Sequence, residues 1–291
     1  MSAGSVPWPA PAKLNLLLRI VGRRADGYHL LQTVFQFLDR CDELHFAVRE
    51  DGAILREGEG PAGVAAEQDL SVRAARLLQQ ETGTRLGAAI RIRKRLPLGG
   101  GLGGGSSDAA TTLVALNHYW GCGLSLDELA TLGLRLGADV PVFVRGRAAW
   151  GEGVGEQLTP LELPQPWYVV LVPDCHVVTA AVFQDPELTR DSEPITIRDF
   201  LAGSRENDCA AVVFRRYPSV AEAARWLAQF GEARLTGTGA CVFAAFADNA
   251  EAQRVLARLP SGWAGFRARG LNHSPLHQRL GLEHETQVTG P

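Results

Sequence analysis

Between Pro97 and Ala110 the chain reads Pro97-Leu98-Gly99-Gly100-Gly101-Leu102-Gly103-Gly104-Gly105-Ser106-Ser107-Asp108-Ala109-Ala110, with six glycines in seven consecutive positions. Glycine takes positive φ freely and has no Cβ to hold a ligand away. A backbone that bare can turn several N–H groups toward one anion. A helix starting directly behind it adds unpaired N–H donors and the positive end of a dipole. Together these make a phosphate cradle. A flexible linker would carry the same glycines, but not an alternating strand ahead of them and a capped helix behind.

Other residues with chemical capacity are scattered. Asp139 sits between the helix-ending Gly137 and the apolar run Val140-Pro141-Val142-Phe143-Val144. It is either a capping or turn residue or a site carboxylate able to accept a proton. Lys13 leads an apolar strand, where a lysine is ordinarily a solvated strand end. Asn15, two residues on, faces the same side of that strand. Tyr28 and His29 follow the turn Arg24-Ala25-Asp26-Gly27, which exposes both. His29 offers a donor and an acceptor. Arg91, Arg93, Lys94 and Arg95 form a short basic cluster: a solvated strand edge, or a group facing phosphates. His273 and His277 have i,i+4 spacing beside Pro275, a weak metal pattern near a tail; no other side-chain metal cluster is visible.

The elements that must position these residues follow from periodicity. Residues 14–21 alternate as a strand, and 31–38 and 43–48 read as two more. Asp69 or Ser71 caps a helix to about Thr82, ended by Gly83. Residues 89–95 form a half-buried strand. Ser106 or Ser107 caps a helix to about Trp120, with Asp108 in its first turn. Ser125 and Glu128 form a capping box for a helix up to Gly137. A Pro-rich stretch over 158–166 marks a domain boundary, dividing the chain into residues 1–160 and 161–291. Beyond it come a buried strand (167–172), a helix (219–230), a glycine turn feeding a strand (235–246), a helix (250–259) and a last strand (263–268). Residues after about Pro275 read as a loose tail.

The chain has 291 residues, 46% hydrophobic and 21% charged, an ordinary soluble composition. A net charge of −3 leaves no basic surplus for nucleic acid as the main partner. The five cysteines are scattered and form no CxxC pair, which reads as reduced thiols in a cytoplasmic protein. The first nine residues lack the pattern of a signal or transit peptide. No apolar run reaches membrane-spanning length, so no membrane partner is expected.

Two familiar phosphate loops fit poorly. The pattern GxxxxGK[ST] fits residues 100–107 only with Ser106 in place of the lysine. A dinucleotide GxGxxG fits Gly99, Gly101 and Gly104, but no acidic residue ends a following strand. That weakens a dehydrogenase reading.

Residues 97–110 resemble the ATP loop of the GHMP kinases (galacto-, homoserine, mevalonate and phosphomevalonate kinases). Pro11-Ala12-Lys13-Leu14-Asn15-Leu16 resembles the N-terminal motif of that family, and Leu235-Thr236-Gly237-Thr238-Gly239-Ala240-Cys241 its C-terminal glycine motif. Further segments narrow the resemblance: Arg24-Ala25-Asp26-Gly27-Tyr28-His29, Gly137-Ala138-Asp139-Val140-Pro141-Val142-Phe143, Glu152-Gly153-Val154-Gly155-Glu156 and Asn207-Asp208-Cys209.

The resemblance implies an α+β fold with the GHMP kinase two-domain architecture. Residues 1–160 would be an ATP-binding domain like ribosomal protein S5 domain 2, and 161–291 a ferredoxin-like domain. The implied reaction is ATP-dependent phosphorylation of the 2-hydroxyl of 4-diphosphocytidyl-2-C-methyl-D-erythritol, in non-mevalonate isoprenoid precursor biosynthesis. Asp139 would be the base and Lys13 its partner. Pro97, Leu98, Gly99, Gly100, Gly101, Leu102, Gly103, Gly104, Gly105, Ser106 and Ser107 would hold ATP. Asn15, Tyr28, His29 and Phe183 would hold the substrate, with Tyr28 and Phe183 clamping its cytosine. Mg2+ would arrive with ATP, in no dedicated protein cage, and touch Ser107. Relatives carry Asn where this chain has Asp69, which keeps the helix cap but removes an amide donor near the adenine pocket. Rival readings are another GHMP kinase such as homoserine kinase, which needs no aromatic clamp, and a nucleotide-binding regulator, which needs neither Lys13 nor Asp139.

Overall fold

The computed structural model describes residues 6–25, 27–58 and 63–288, with side chains to residue 281. The N-terminal residues 1–5 and Asp26 of the expected turn lie outside the described residues.

Strands β1 (Trp8–Arg23) and β2 (His29–Arg49) pair antiparallel along most of their length. The separate strands expected at 31–38 and 43–48 are one. The polar stretch between them looks like a turn but stays in the ladder, with Cys41 opposite Pro11 and Asp42 opposite Ala10. β3 (Ile54–Glu57) runs parallel to β4 (Gly87–Arg93), which pairs with the far end of β2. β5 (Ala149–Glu152) pairs with β2 at residues 33–35 and with β6 (Gln157–Pro160). The Pro-rich stretch thus begins as a strand, Pro160 lying opposite Ala149. β7 (Trp167–Val172) lies between β9 (Val242–Phe246) and β10 (Ala264–Leu271), and the short β8 (Arg234–Leu235) edges β9. Gly270 and Leu271 of β10 pair with Leu38 and Phe37 of β2, so one sheet path runs β3-β4-β2-β10-β7-β9-β8.

Helix α1 (Leu70–Thr82) has the expected ends: Asp69 accepts from Ser71 N (2.9 Å), and Gly83 is the C-cap. In α2 (Gly104–Tyr119) the expected serine cap is absent. Gly103 is the N-cap, and Ser106 and Ser107 lie inside the helix. The capping box of α3 (Leu126–Leu134) is formed by Ser125 and Glu128, and the helix stops before Gly137. α4 (Val140–Arg145) follows Asp139 directly. These helices pack on one face of the sheet, where Phe37, Leu44, Ile90, Leu113 and Phe143 share a core.

α5 (Thr179–Phe183), α6 (Ile197–Ala202), α7 (Ala210–Arg216), α8 (Pro218–Leu227) and α9 (Asn249–Leu256) belong to the second half. There Val169, Leu171, Val213, Leu227 and Val242 form another core. A third core, with Leu96, Leu102, Tyr168, Val170 and Phe243, lies under the glycine loop and joins the halves.

The expected loose tail is instead helix α10 (Pro275–Val288). Leu276 is fully buried in the first core, and Leu280 packs against it at i,i+4 spacing. His277 Nε2 lies 2.8 Å from Val144 O. Polar residues between the two leucines hide the pattern in the sequence. Leu276→Ala is expected to destabilise the fold by about 2–5 kcal/mol, read as a lower urea midpoint at constant slope. An unchanged midpoint would mean that α10 contributes nothing to the core. Among the described residues no helix is long and apolar enough to cross a membrane.

Candidate active site

A cavity of about 940 Å³ opens where β1, the glycine loop, α5 and the 237–238 turn meet. Lys13 lies on its floor, 3% exposed. β1 holds it there, since Lys13 N donates to Leu102 O (2.9 Å). Lys13 Nζ makes an ion pair with Asp139 Oδ2 (3.1 Å), donates to Asn15 Oδ1 (2.6 Å) and sits 5.5 Å from the Phe35 ring centre. Asp139 precedes α4 without capping it by its side chain, so its carboxylate is left for Lys13 and the cavity. Two residues that are 126 positions apart in the sequence are thus brought into contact.

Asn15 is largely used by the protein. Its Nδ2 donates to Thr33 Oγ1 (2.8 Å), and its backbone N donates to Thr236 Oγ1 (3.0 Å). One N–H remains for a ligand, and the side chain chiefly orients Lys13.

The glycine loop is gripped by its carbonyls. Ala240 N donates to Gly99 O (3.3 Å), Cys241 N to Gly100 O (3.1 Å) and Thr236 Oγ1 to Gly101 O (3.2 Å). Gly101 and Gly103 have φ of 75° and 72°. A Cβ on Gly101 would fall 2.3 Å from Thr236 O, so the loop seats on the 235–241 segment only as glycine. Because α2 starts at Gly104, the amides of Gly104, Gly105 and Ser106 form its open first turn, next to the cavity. Gly101, Gly103 and Ser106 line the cavity; Pro97, Leu98, Gly99, Gly100, Leu102, Gly104, Gly105 and Ser107 do not. Leu98 is half exposed, and Leu102 is a core residue. Ser107 is fully buried, with a hydroxyl that has no hydrogen-bond partner.

The basic cluster is paired. Arg91 contacts Glu57, while Arg93 and Arg95 contact Glu43. Lys94 bridges the buried Asp42 and Asp108 (2.7 Å to Asp108). Asp108, expected as a first-turn charge, is a core group of this trio. Burial pushes its carboxyl up to about 8, against the pull of Lys94 and with the push of Asp42. Asp42 Oδ1 accepts from Arg95 N (2.5 Å) and Leu96 N (2.8 Å), anchoring the strand that leads into the loop. Asp69 is likewise engaged by Arg56 (3.1 Å).

At the other end of the cavity His29 stacks on Phe183, with centroids 5.0 Å apart and planes at 26°. Tyr28 lines the same cavity and is 63% exposed. Burial, then the charges of Arg190 and Arg23, lower the pKa of His29. Thr179, Thr238, Gln184 and Arg190 line the cavity too. Thr238 belongs to the C-terminal glycine motif, whereas no periodicity or motif in the sequence singles out Thr179, Gln184 or Arg190. His273 and His277 turn to different partners, Glu162 and Val144 O.

The cavity therefore combines an amide-rich anion site, a lysine–carboxylate pair and an aromatic platform. A hydroxyl placed at Asp139 can lose its proton there, while Lys13 stabilises charge on the oxygen.

Comparison with known proteins matches two family descriptions: GHMP kinases N terminal domain over residues 69–147, and GHMP kinases C terminal over residues 190–265. Over 269 residues the chain is 61% identical to the 4-diphosphocytidyl-2-C-methyl-D-erythritol kinase of Nitrosococcus oceani, covering 92% of this chain and 96% of that one. Identity to the protein of the same name in Alkalilimnicola ehrlichii is 61% over 279 residues, with 96% of each chain covered. A crystal structure of 4-(cytidine 5'-diphospho)-2C-methyl-D-erythritol kinase superposes with a TM-score of 0.78 at 33% identity, covering 91% of this chain and 99% of that one. A mevalonate kinase shares the fold at 15% identity, with a TM-score of 0.67 and coverage of 92% and 100%.

Proposed function

The chain belongs to the GHMP kinase family, and on that premise we propose that it phosphorylates the 2-hydroxyl of 4-diphosphocytidyl-2-C-methyl-D-erythritol with ATP. The observation that carries this reading is the placement of three chemistries in one cavity. The Lys13–Asp139 pair lies between the open first turn of α2 and the His29–Phe183 platform. A phosphoryl transfer to an alcohol needs an anion site, a proton acceptor and a hold on the acceptor molecule.

The residues present fit a nucleotide. The amides of Gly104, Gly105 and Ser106 suit phosphate oxygens, and the unpartnered Ser107 hydroxyl suits magnesium or phosphate. Bound ATP with Mg2+ supplies the transferable phosphoryl group and offsets its charge. Asp139 receives the proton of the attacking hydroxyl, Lys13 holds that oxygen, and Asn15 keeps Lys13 aimed. Tyr28 and Phe183 clamp the cytosine ring, and His29 meets its edge. Residues 1–160 form the ATP-binding domain in this reading, and 161–291 the second domain. All five cysteines are free thiols, which supports a reducing, cytoplasmic setting.

The test is a coupled ADP-release assay over a panel of the cytidyl substrate, homoserine, mevalonate and galactose. Turnover confined to the cytidyl substrate is expected. Turnover of homoserine or mevalonate with none of the cytidyl substrate would overturn the assignment.

A further inference from the structure

One guanidinium touches both members of the aromatic platform. Arg190 Nε donates to His29 Nε2 (3.2 Å). Arg190 Nη2 donates to the carbonyls of Phe183 (2.8 Å) and Asp185 (2.7 Å), and Nη1 to Leu188 O (2.9 Å). The loop that carries it is itself anchored. Ser192 N donates to Ile20 O (3.0 Å), and Ile195 N to Gln32 Oε1 (2.9 Å).

A guanidinium has donors only and keeps its charge. The nitrogen facing it must therefore offer a lone pair. In a neutral imidazole the proton then resides on Nδ1. The charges of Arg190 and Arg23, added to burial, favour the neutral ring. Stacking on Phe183 sets the ring plane. Among the described residues His29 Nδ1 has no hydrogen-bond partner, and His29 lines the cavity. The edge left for a ligand is thus a donor.

We propose that Arg190 is a positioning residue: it locks His29 as the Nδ1–H tautomer against Phe183, so that the open ring edge donates to the acceptor edge of a cytosine and selects it over a uracil. The proposal rests on the cytidyl substrate proposed above. Cytosine presents two adjacent acceptors, N3 and O2. Uracil carries a hydrogen on N3 and so opposes a donor placed there. The other His29 tautomer would present a lone pair and reverse that preference.

The test has two arms on the full-length protein. In the first, nitrogen-15 spectra of labelled histidine, assigned with His29→Gln, should show a protonated Nδ1 and an unprotonated Nε2. In the second, Arg190→Met should mix the tautomers. It should raise KM for the cytidyl substrate about ten-fold, the worth of one hydrogen bond, while kcat and the KM for ATP barely move. The kcat/KM preference for the cytidyl substrate over its uridyl analogue should shrink by a similar factor. Arg190→Lys, which keeps a donor for Nε2, should retain part of that preference. A protonated Nε2 in the parent, or an unchanged cytidyl-to-uridyl ratio in a folded Arg190→Met, overturns the proposal. If that variant does not fold, the parent spectrum decides the lock. A parent inactive on the cytidyl substrate overturns the substrate reading and the selection for cytosine, and the spectrum still decides the lock.

Discussion

Asp139→Asn is expected to lower kcat by about 10²–10⁴ with ATP binding nearly kept. Asparagine preserves the shape of the side chain and its place before α4, but its amide cannot take the proton of an attacking hydroxyl. Lys13, 3% exposed, loses its carboxylate and keeps Asn15 Oδ1 at 2.6 Å. Removing one partner of an ion pair carries a stability cost. Here solvent moderates it, because the Asp139 side chain is 36% exposed. Circular dichroism and a urea midpoint therefore accompany the kinetics. A folded variant with near-parental kcat would strip Asp139 of the role of base.

Gly103→Val is expected to abolish nucleotide binding measurable by calorimetric titration. The new side chain would not meet the ligand first. Its Cβ would fall 2.7 Å from Phe143 Cζ and 3.1 Å from Lys13 Cε, and a β-branched residue resists the 72° φ of this position. The loop must shift, and with it the first turn of α2. Ser106→Ala removes at most one hydrogen bond, so it should weaken ATP by only about 0.5–1.5 kcal/mol. A folded Gly103→Val that binds ATP like the parent would place the phosphates elsewhere.

Much of the scaffold could be read from local chemistry. Asp69 with Gly83, and the Ser125–Glu128 box, announce α1 and α3 because caps are satisfied within a few residues of chain. β7 occupies the predicted apolar run. The failures share a cause: the partner is distant. Cys41 and Asp42 stay in a strand because Pro11 and Ala10 of β1 pair with them. α10 forms because Leu276 finds a core built by α2 and α4. The serine cap of α2 gives way because the loop is seated by residues 236–241. The glycine run is strongly informative by itself. Lys13 and Asp139 are ambiguous one at a time, and only the family resemblance implies their role. Their 3.1 Å contact is a tertiary fact that no spacing rule contains. Arg190 is hidden for the same reason, since its meaning lies in a histidine 161 positions earlier.

The grip on the carbonyl rim of the glycine loop bears on how the loop moves. Gly99, Gly100 and Gly101 are bonded from the 236–241 segment, and Leu102 from β1. A glycine-rich segment would otherwise be among the first to open locally and the costliest to order on binding. Held from behind by both ends of the chain, it can open only when the central core opens with it. The amides that face the ligand are therefore held in place while staying unbonded, and a nucleotide meets a loop whose ordering entropy was lost during folding.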